Sequence, residues 1–126
     1  MNNHFLVFIG GGIGATLRYL ITVLSCKYLG TAYPYGTFFI NIIGCLFLGF
    51  IVALTIGKSH AFEPHLRLFL VVGIAGGFTT FSAFSYESLE LIRNGRILTS
   101  LFYLSSSVIF GLMAVYLGFY LSKYIN

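Results

Sequence analysis

Asn41, the phenylalanines Phe81 and Phe84, the serines Ser82 and Ser85, and the hydroxyl run Tyr103, Ser105, Ser106 and Ser107 are the side chains whose types and spacing invite chemistry in this 126-residue chain. All of them sit in long apolar stretches. Asn41 is a lone amide that offers two N–H donors and no charge, so it can replace part of an anion's hydration without trapping the ion. An inter-helix hydrogen bond is the structural alternative for it. Phe81 and Phe84 are three apart and would share a helix face. Packing is the default reading of such a pair. Yet an aromatic ring has a positive edge, and Ser82 and Ser85 repeat the spacing beside the rings. Ring edges next to hydroxyls favour an anion while excluding bulk water. Tyr103 and Ser107 lie one helical turn apart, although isolated membrane hydroxyls usually bond back to their own helix.

Four stretches with almost no charge must position these groups. Phe5 to Cys26 carries only Arg18, whereas Tyr28 to Gly57, Leu68 to Tyr86 and Ile97 to Ser122 carry no charge. Each is long enough to cross a hydrocarbon core of about 30 Å as a helix. Of all residues, 58% are hydrophobic and 8% charged, which places the chain among integral membrane proteins and leaves room for one domain, residues 1–126. The expected spans are about 4–26, 33–57, 66–93 and 97–123. Pro34 suits the first turn of the second span. The start Met1-Asn2-Asn3-His4 has no Lys or Arg, and three spans follow, so the first span reads as a retained helix.

Several function classes fall away. The net charge of +4 comes from basic residues scattered at span ends, with no tract for nucleic acid. Cys26 and Cys45 lack CxxC spacing and read as free, inert thiols. His60, Glu63 and His65 form too short a set around a proline for a metal site. Gly10, Gly12 and Ala15 fit GxGxxA, but inside a span and without an acid about 20 residues on, so close helix packing through Gly10 and Gly14 is the better reading. No Ser/His/Asp set and no Asp at all is present, so an enzyme is not expected.

The third span is unusual. Gly73 to Ser85 puts the pair Gly76-Gly77 and the hydroxyls of Thr79, Thr80, Ser82 and Ser85 at mid-span. That is a poor helix interior, and a mid-membrane break would expose carbonyls of the first half and N–H groups of the second. An ordinary helix packed through small residues is the alternative. Arg18 is the only full charge well inside a span, either snorkelling or paired. Glu87, Glu90, Arg93 and Arg96 read as a solvated helix end, with Glu87 also near enough to border a pore vestibule.

Loop charges bear on orientation. Lys58, Arg67 and Lys123 fall on one side, and Lys27, Arg93 and Arg96 on the other. This three-to-three balance fits copies inserted both ways, unless another factor fixes one orientation. Dual topology would permit an antiparallel dimer of one chain.

The chain closely resembles the Fluc (CrcB) family of fluoride channels. The resemblance lies in Gly11-Gly12 with Gly14-Ala15 and Arg18-Tyr19, in Gly36-Thr37 with Asn41 and Gly44, and above all in Gly76-Gly77-Phe78-Thr79-Thr80-Phe81-Ser82 followed by Phe84-Ser85. It implies an all-α membrane protein of four transmembrane helices with a broken third helix. It implies a dual-topology antiparallel homodimer with two pores in the cell (inner) membrane. It further implies that Asn41, Phe81, Ser82, Phe84, Tyr103 and Ser107 line the fluoride pathway. Backbone carbonyls of Gly76 and Thr79 from both copies would hold one structural Na⁺. Arg18, Thr37, Thr80 and Glu87 match further polar positions. Ala83 departs from the pattern, where Thr is usual, and Gly111 stands where some members have a hydroxyl.

Two other readings compete. A small dual-topology exporter of cationic drugs needs an acid in its first span, and Phe5 to Cys26 has none. A scaffold without transport would use every polar group for helix packing.

Overall fold

The computed structural model describes residues 2–56 and 63–125. Residues 57–62, which include Lys58 and the His60 weighed as a metal ligand, lie outside the described residues. Among the described residues the secondary structure is entirely helical: α1 (Asn3–Leu29), α2 (Tyr35–Ile56), α3 (Pro64–Arg67), a π-helical segment (Leu68–Ala75), α4 (Gly76–Phe78), α5 (Phe81–Arg93) and α6 (Ile97–Ser122). Four units among the described residues are long and apolar enough to cross a membrane: α1, α2, the composite Pro64–Arg93 and α6. Their 27, 22, 30 and 26 residues compare with the roughly 20 that a bilayer core requires.

Local chemistry sets the ends. Asn2 caps α1, its side chain accepting from the His4 N–H at 3.1 Å. Gly30, with φ 78°, ends that helix. Pro34 precedes α2, and its carbonyl accepts from Phe38 N–H at 3.1 Å. Pro64 opens α3. The Asn94-Gly95 turn closes α5 with paired bonds, Gly95 N–H to Ile92 and Arg96 N–H to Leu91. Gly95 adopts φ 76° to make that closure.

Small residues bring the backbones together. A methyl on Gly10 would lie 2.7 Å from the Phe69 carbonyl oxygen and 2.9 Å from the Gly73 Cα. One on Gly14 would collide with the Ile74 carbonyl, and one on Gly77 with Gly11. α1 therefore lies directly against the first half of the third span, as the Gly10/Gly14 spacing predicts. α2 meets α6 in the same way, where Gly49 faces the Val115 carbonyl and Gly118 faces Leu46. The two pairs meet where α2 contacts α1 and the π-helical segment, while α5 packs against α6 and α2, and polar side chains of α2, α5 and α6 gather there.

Candidate functional site

The third span departs from helix at two residues. Thr79 (φ −75°, ψ 156°) and Thr80 (φ −150°, ψ 121°) are extended between α4 and α5. Gly76 is helical, with φ −63° and ψ −38°, and Gly77 continues α4. The glycine pair expected to disrupt the helix thus stays within it, Gly77 packed against Gly11 of α1, and the threonines carry the departure.

Hydrogen bonds account for this location. Thr80 N–H would bond the Gly76 carbonyl in a continuous helix; it donates instead to Asn41 Oδ1 at 2.8 Å. Asn41 Nδ2 returns a bond to the Thr80 carbonyl at 3.0 Å. One amide on α2 therefore satisfies both backbone groups of the residue where the helix lapses. The Thr80 hydroxyl then caps α5, accepting from Ala83 N–H at 3.2 Å, and meets Ser82 Oγ at 3.2 Å. The Thr79 hydroxyl bonds back to the Ala75 carbonyl at 2.9 Å. The Gly76 carbonyl loses the donor that a continuous helix would supply. Hard, neutral oxygens of this kind suit a cation such as Na⁺.

Beyond the interruption, Phe81 and Phe84 have ring centroids 5.8 Å apart with planes at 46°. Their exposure differs sharply: Phe81 is 78% exposed and Phe84 only 9%. Phe84 stands edge-on to Tyr103 at 5.2 Å. A cavity of about 410 Å³ is lined by Asn41, Gly76, Thr79, Phe81, Phe84 and Ser107 among others. Ser107 Oγ is buried there with no hydrogen-bond partner among the described residues. Ser105 and Ser106 instead bond back to Leu101 at 2.7 Å and Phe102 at 2.6 Å, as membrane hydroxyls are expected to do.

A second cluster joins α2, α5 and α6. Thr37 Oγ1 donates to Glu87 Oε1 at 2.7 Å, and the fully buried Tyr103 donates through its hydroxyl to Glu87 Oε2 at 2.8 Å. Glu87 is therefore not merely part of a solvated helix end. It holds two helices to its own and faces a cavity of about 240 Å³ that Thr37, Glu90 and Arg96 also border. Phe84, which lines the larger of these two cavities, touches Tyr103 edge to face.

The structure thus brings together Thr37, Glu87 and Tyr103 at one level, and Asn41, Thr80, Phe81, Phe84 and Ser107 at the next. Ser82 reaches this group only through the Thr80 hydroxyl and is otherwise exposed. Arg18 borders neither cavity. Ala83 is half-buried, and a side chain at Gly111 would meet Cys45 Sγ at 3.7 Å. Cys26 and Cys45 are free.

Sequence reasoning missed the parts played by three residues. Ser100, fully buried on α6, donates to the Ser88 carbonyl at 2.9 Å and helps hold α6 on α5. Its spacing of three and seven residues from Tyr103 and Ser107 was the available signal. Tyr33, at the edge of the second expected span, and Arg96 both lie in connections just ahead of α2 and α6, and nothing in their spacing marks them.

Fold and site together define a multi-pass helical membrane protein whose polar groups form a series between apolar helices. A family model described as "CrcB-like protein, Camphor Resistance (CrcB)" matches residues 5–119. The fluoride-specific ion channel FluC of Flavobacterium psychrophilum is 44% identical over 98% of both chains. Those of Chloroflexus aurantiacus and Aquifex aeolicus are 45% identical over 98% of both chains, and 40% identical over 94% of this chain and 95% of that protein. The chain belongs to the CrcB family. The names of these relatives are those of ion channels, a non-enzymatic function.

Proposed function

We propose that this chain is a fluoride-selective channel through which cytoplasmic fluoride leaves passively, down its electrochemical gradient. The observation that carries the reading is the polar series Thr37, Glu87, Tyr103, Ser107 and Asn41 beside two phenylalanines, in a chain 44% identical to a channel named for fluoride. Fluoride is small and strongly hydrated, so passage needs close donors that replace water. Neutral hydroxyls, the remaining N–H of Asn41 and the ring edges of Phe81 and Phe84 provide several weak sites, from which an ion leaves as readily as it enters. Ser82 and Ser107 contribute hydroxyls to the same path. Larger chloride fits poorly in it.

The functional unit is an antiparallel, dual-topology homodimer in the cell (inner) membrane with two pores. The third helix is broken at mid-membrane depth. The balance of three basic residues on each side supports insertion both ways. Carbonyls of Gly76 and Thr79 from both copies would hold a structural Na⁺ at the dimer centre, where a cation shared between copies fastens the interface. Thr80 supports this region through its cap on α5, and Arg18 acts at the bilayer interface by snorkelling.

Efflux from liposomes, followed with fluoride and chloride electrodes, tests the function. Fast fluoride release that requires a K⁺ ionophore, with no chloride release, is the expected result. Release that ignores the ionophore and follows a pH gradient would replace passive flow with exchange. No fluoride release from folded, dimeric protein would remove the channel reading. Replacing Na⁺ by a bulky organic cation during purification tests the metal. The dimer should dissociate more readily on size exclusion, and indifference would exclude Gly76 and Thr79 as ligands.

A further inference from the structure

The connection between α1 and α2, residues 30–34, forms a wall of the 240 Å³ cavity. Arg96, just beyond the Asn94-Gly95 turn, donates through Nη1 to the Ala32 carbonyl and so ties this connection to the opposite pair of helices. A guanidinium bond to a carbonyl is charge-assisted, which makes it stronger than a neutral pair.

The next residue is Tyr33. It is half-buried, and its ring stands edge-on to Tyr103 with centroids 5.5 Å apart and planes at 80°. Tyr35, Phe38 and Phe102 surround it at 4.8, 6.3 and 6.4 Å. Tyr103 is therefore held between two rings, with Phe84 at 5.2 Å as the other. Its hydroxyl is the donor to Glu87 at 2.8 Å. A phenol confined in this way keeps its hydroxyl in place. With one neighbouring ring removed it can swing, and a shift of about an ångström already spoils a hydrogen bond of this length.

We propose that Tyr33 and Arg96 are positioning residues for ion passage: Arg96 latches the α1–α2 connection, and Tyr33 wedges Tyr103 so that its hydroxyl meets Glu87. The inference rests on the channel reading above. Neither side chain needs to touch the ion. The latch acts through the wedge, and the wedge acts through the Tyr103–Glu87 bond. Loosening either lets the wall of the vestibule move relative to α5.

The test is a double-mutant cycle on fluoride efflux, with size exclusion to show that each variant remains dimeric. Tyr33→Leu removes the ring and should slow efflux by about fivefold, since sites of this kind tolerate errors of only about half an ångström. Tyr33→Phe keeps the ring and should retain at least about half the rate, because only the ring fills the wedge position. Arg96→Ala should slow efflux by about threefold, with Arg96→Lys restoring most of it through a retained charged donor. In a Tyr103→Phe background, Tyr33→Leu should add almost nothing, because the hydroxyl it positions is gone. Full additivity there would overturn the proposal, as would wild-type efflux in dimeric Tyr33→Leu. If Tyr33→Leu does not fold, the Arg96 variants read the same coupling against Tyr103→Phe. Absence of efflux from the wild type would instead strike the channel reading itself.

Discussion

Around Glu87, each polar side chain that meets it is already bonded. Thr37 and Tyr103 each give a hydroxyl to one carboxylate oxygen, and Tyr103 is packed between aromatic rings. Around Phe81, one level away, Asn41, Thr79 and Thr80 are bonded but other groups are left available. Ser107 Oγ is buried without a partner, Phe81 is 78% exposed, and the Gly76 carbonyl has lost its helical donor to Asn41. The first region is a joint that fastens three helices. The second is a set of unspent ligands whose backbone is braced by one amide. An ion that enters the first must compete with existing bonds, whereas in the second it completes missing ones. Perturbing the joint should change geometry, and perturbing the ligands should change flux at constant stability.

The largest effect belongs to the brace itself. Asn41→Ala strips the partners from both Thr80 backbone groups at once. Each unsatisfied group costs about 1–3 kcal/mol, so the variant should lose about 2–6 kcal/mol and most of its fluoride efflux. Thermal unfolding in detergent measures the first and liposome efflux the second. A variant that keeps its wild-type melting midpoint but loses efflux would reassign Asn41 to the ligands and away from the brace.

Phe81→Ile should separate flux from folding. The ring is mostly exposed in the single chain and contributes little to its packing. The variant should stay dimeric and melt as the wild type does. Efflux should nevertheless fall at least about tenfold, since Ile offers no positive ring edge to an anion. Unchanged flux in well-folded protein would remove Phe81 from the pathway and leave Phe84, buried against Tyr103, as the only ring with a claim.

The same contrast explains what the sequence could disclose. Four spans, their order and the Gly10/Gly14 contact follow from charge-free length and small-residue spacing, because a bilayer leaves few other solutions. Site residues also keep helical periods: Thr37, Asn41 and Gly44 on α2, and Ser100, Tyr103 and Ser107 on α6. The glycine pair misled because low helix propensity is a property of chains in water. Between packed membrane helices Gly77 is stabilised by its approach to Gly11, and the helix yields two residues later, at Thr79. That Asn41 would spend its amide on backbone could not be read from side-chain types, since the partner is a peptide group and every residue has one. Tyr33 and Arg96 were hidden for a related reason. They act from connections, where no periodicity relates a residue to the helix it meets.

Ser107 sharpens the comparison with the smallest change. Its hydroxyl is buried and unpaired among the described residues, so it carries a desolvation cost that none of them offsets. Ser107→Ala removes that cost along with the group, and stability should hold or rise by up to about 1 kcal/mol. If the hydroxyl is kept for the ion, efflux should fall by about threefold in the same variant, in line with the loss of one weak site among several. The opposing signs are what make the experiment decisive. A residue of the joint, such as Thr37, cannot lose its hydroxyl without leaving Glu87 short of a donor, so its flux and stability must fall together. For Ser107 they should part. A fall in both would show that the hydroxyl has a partner in the assembled protein and belongs with the joint.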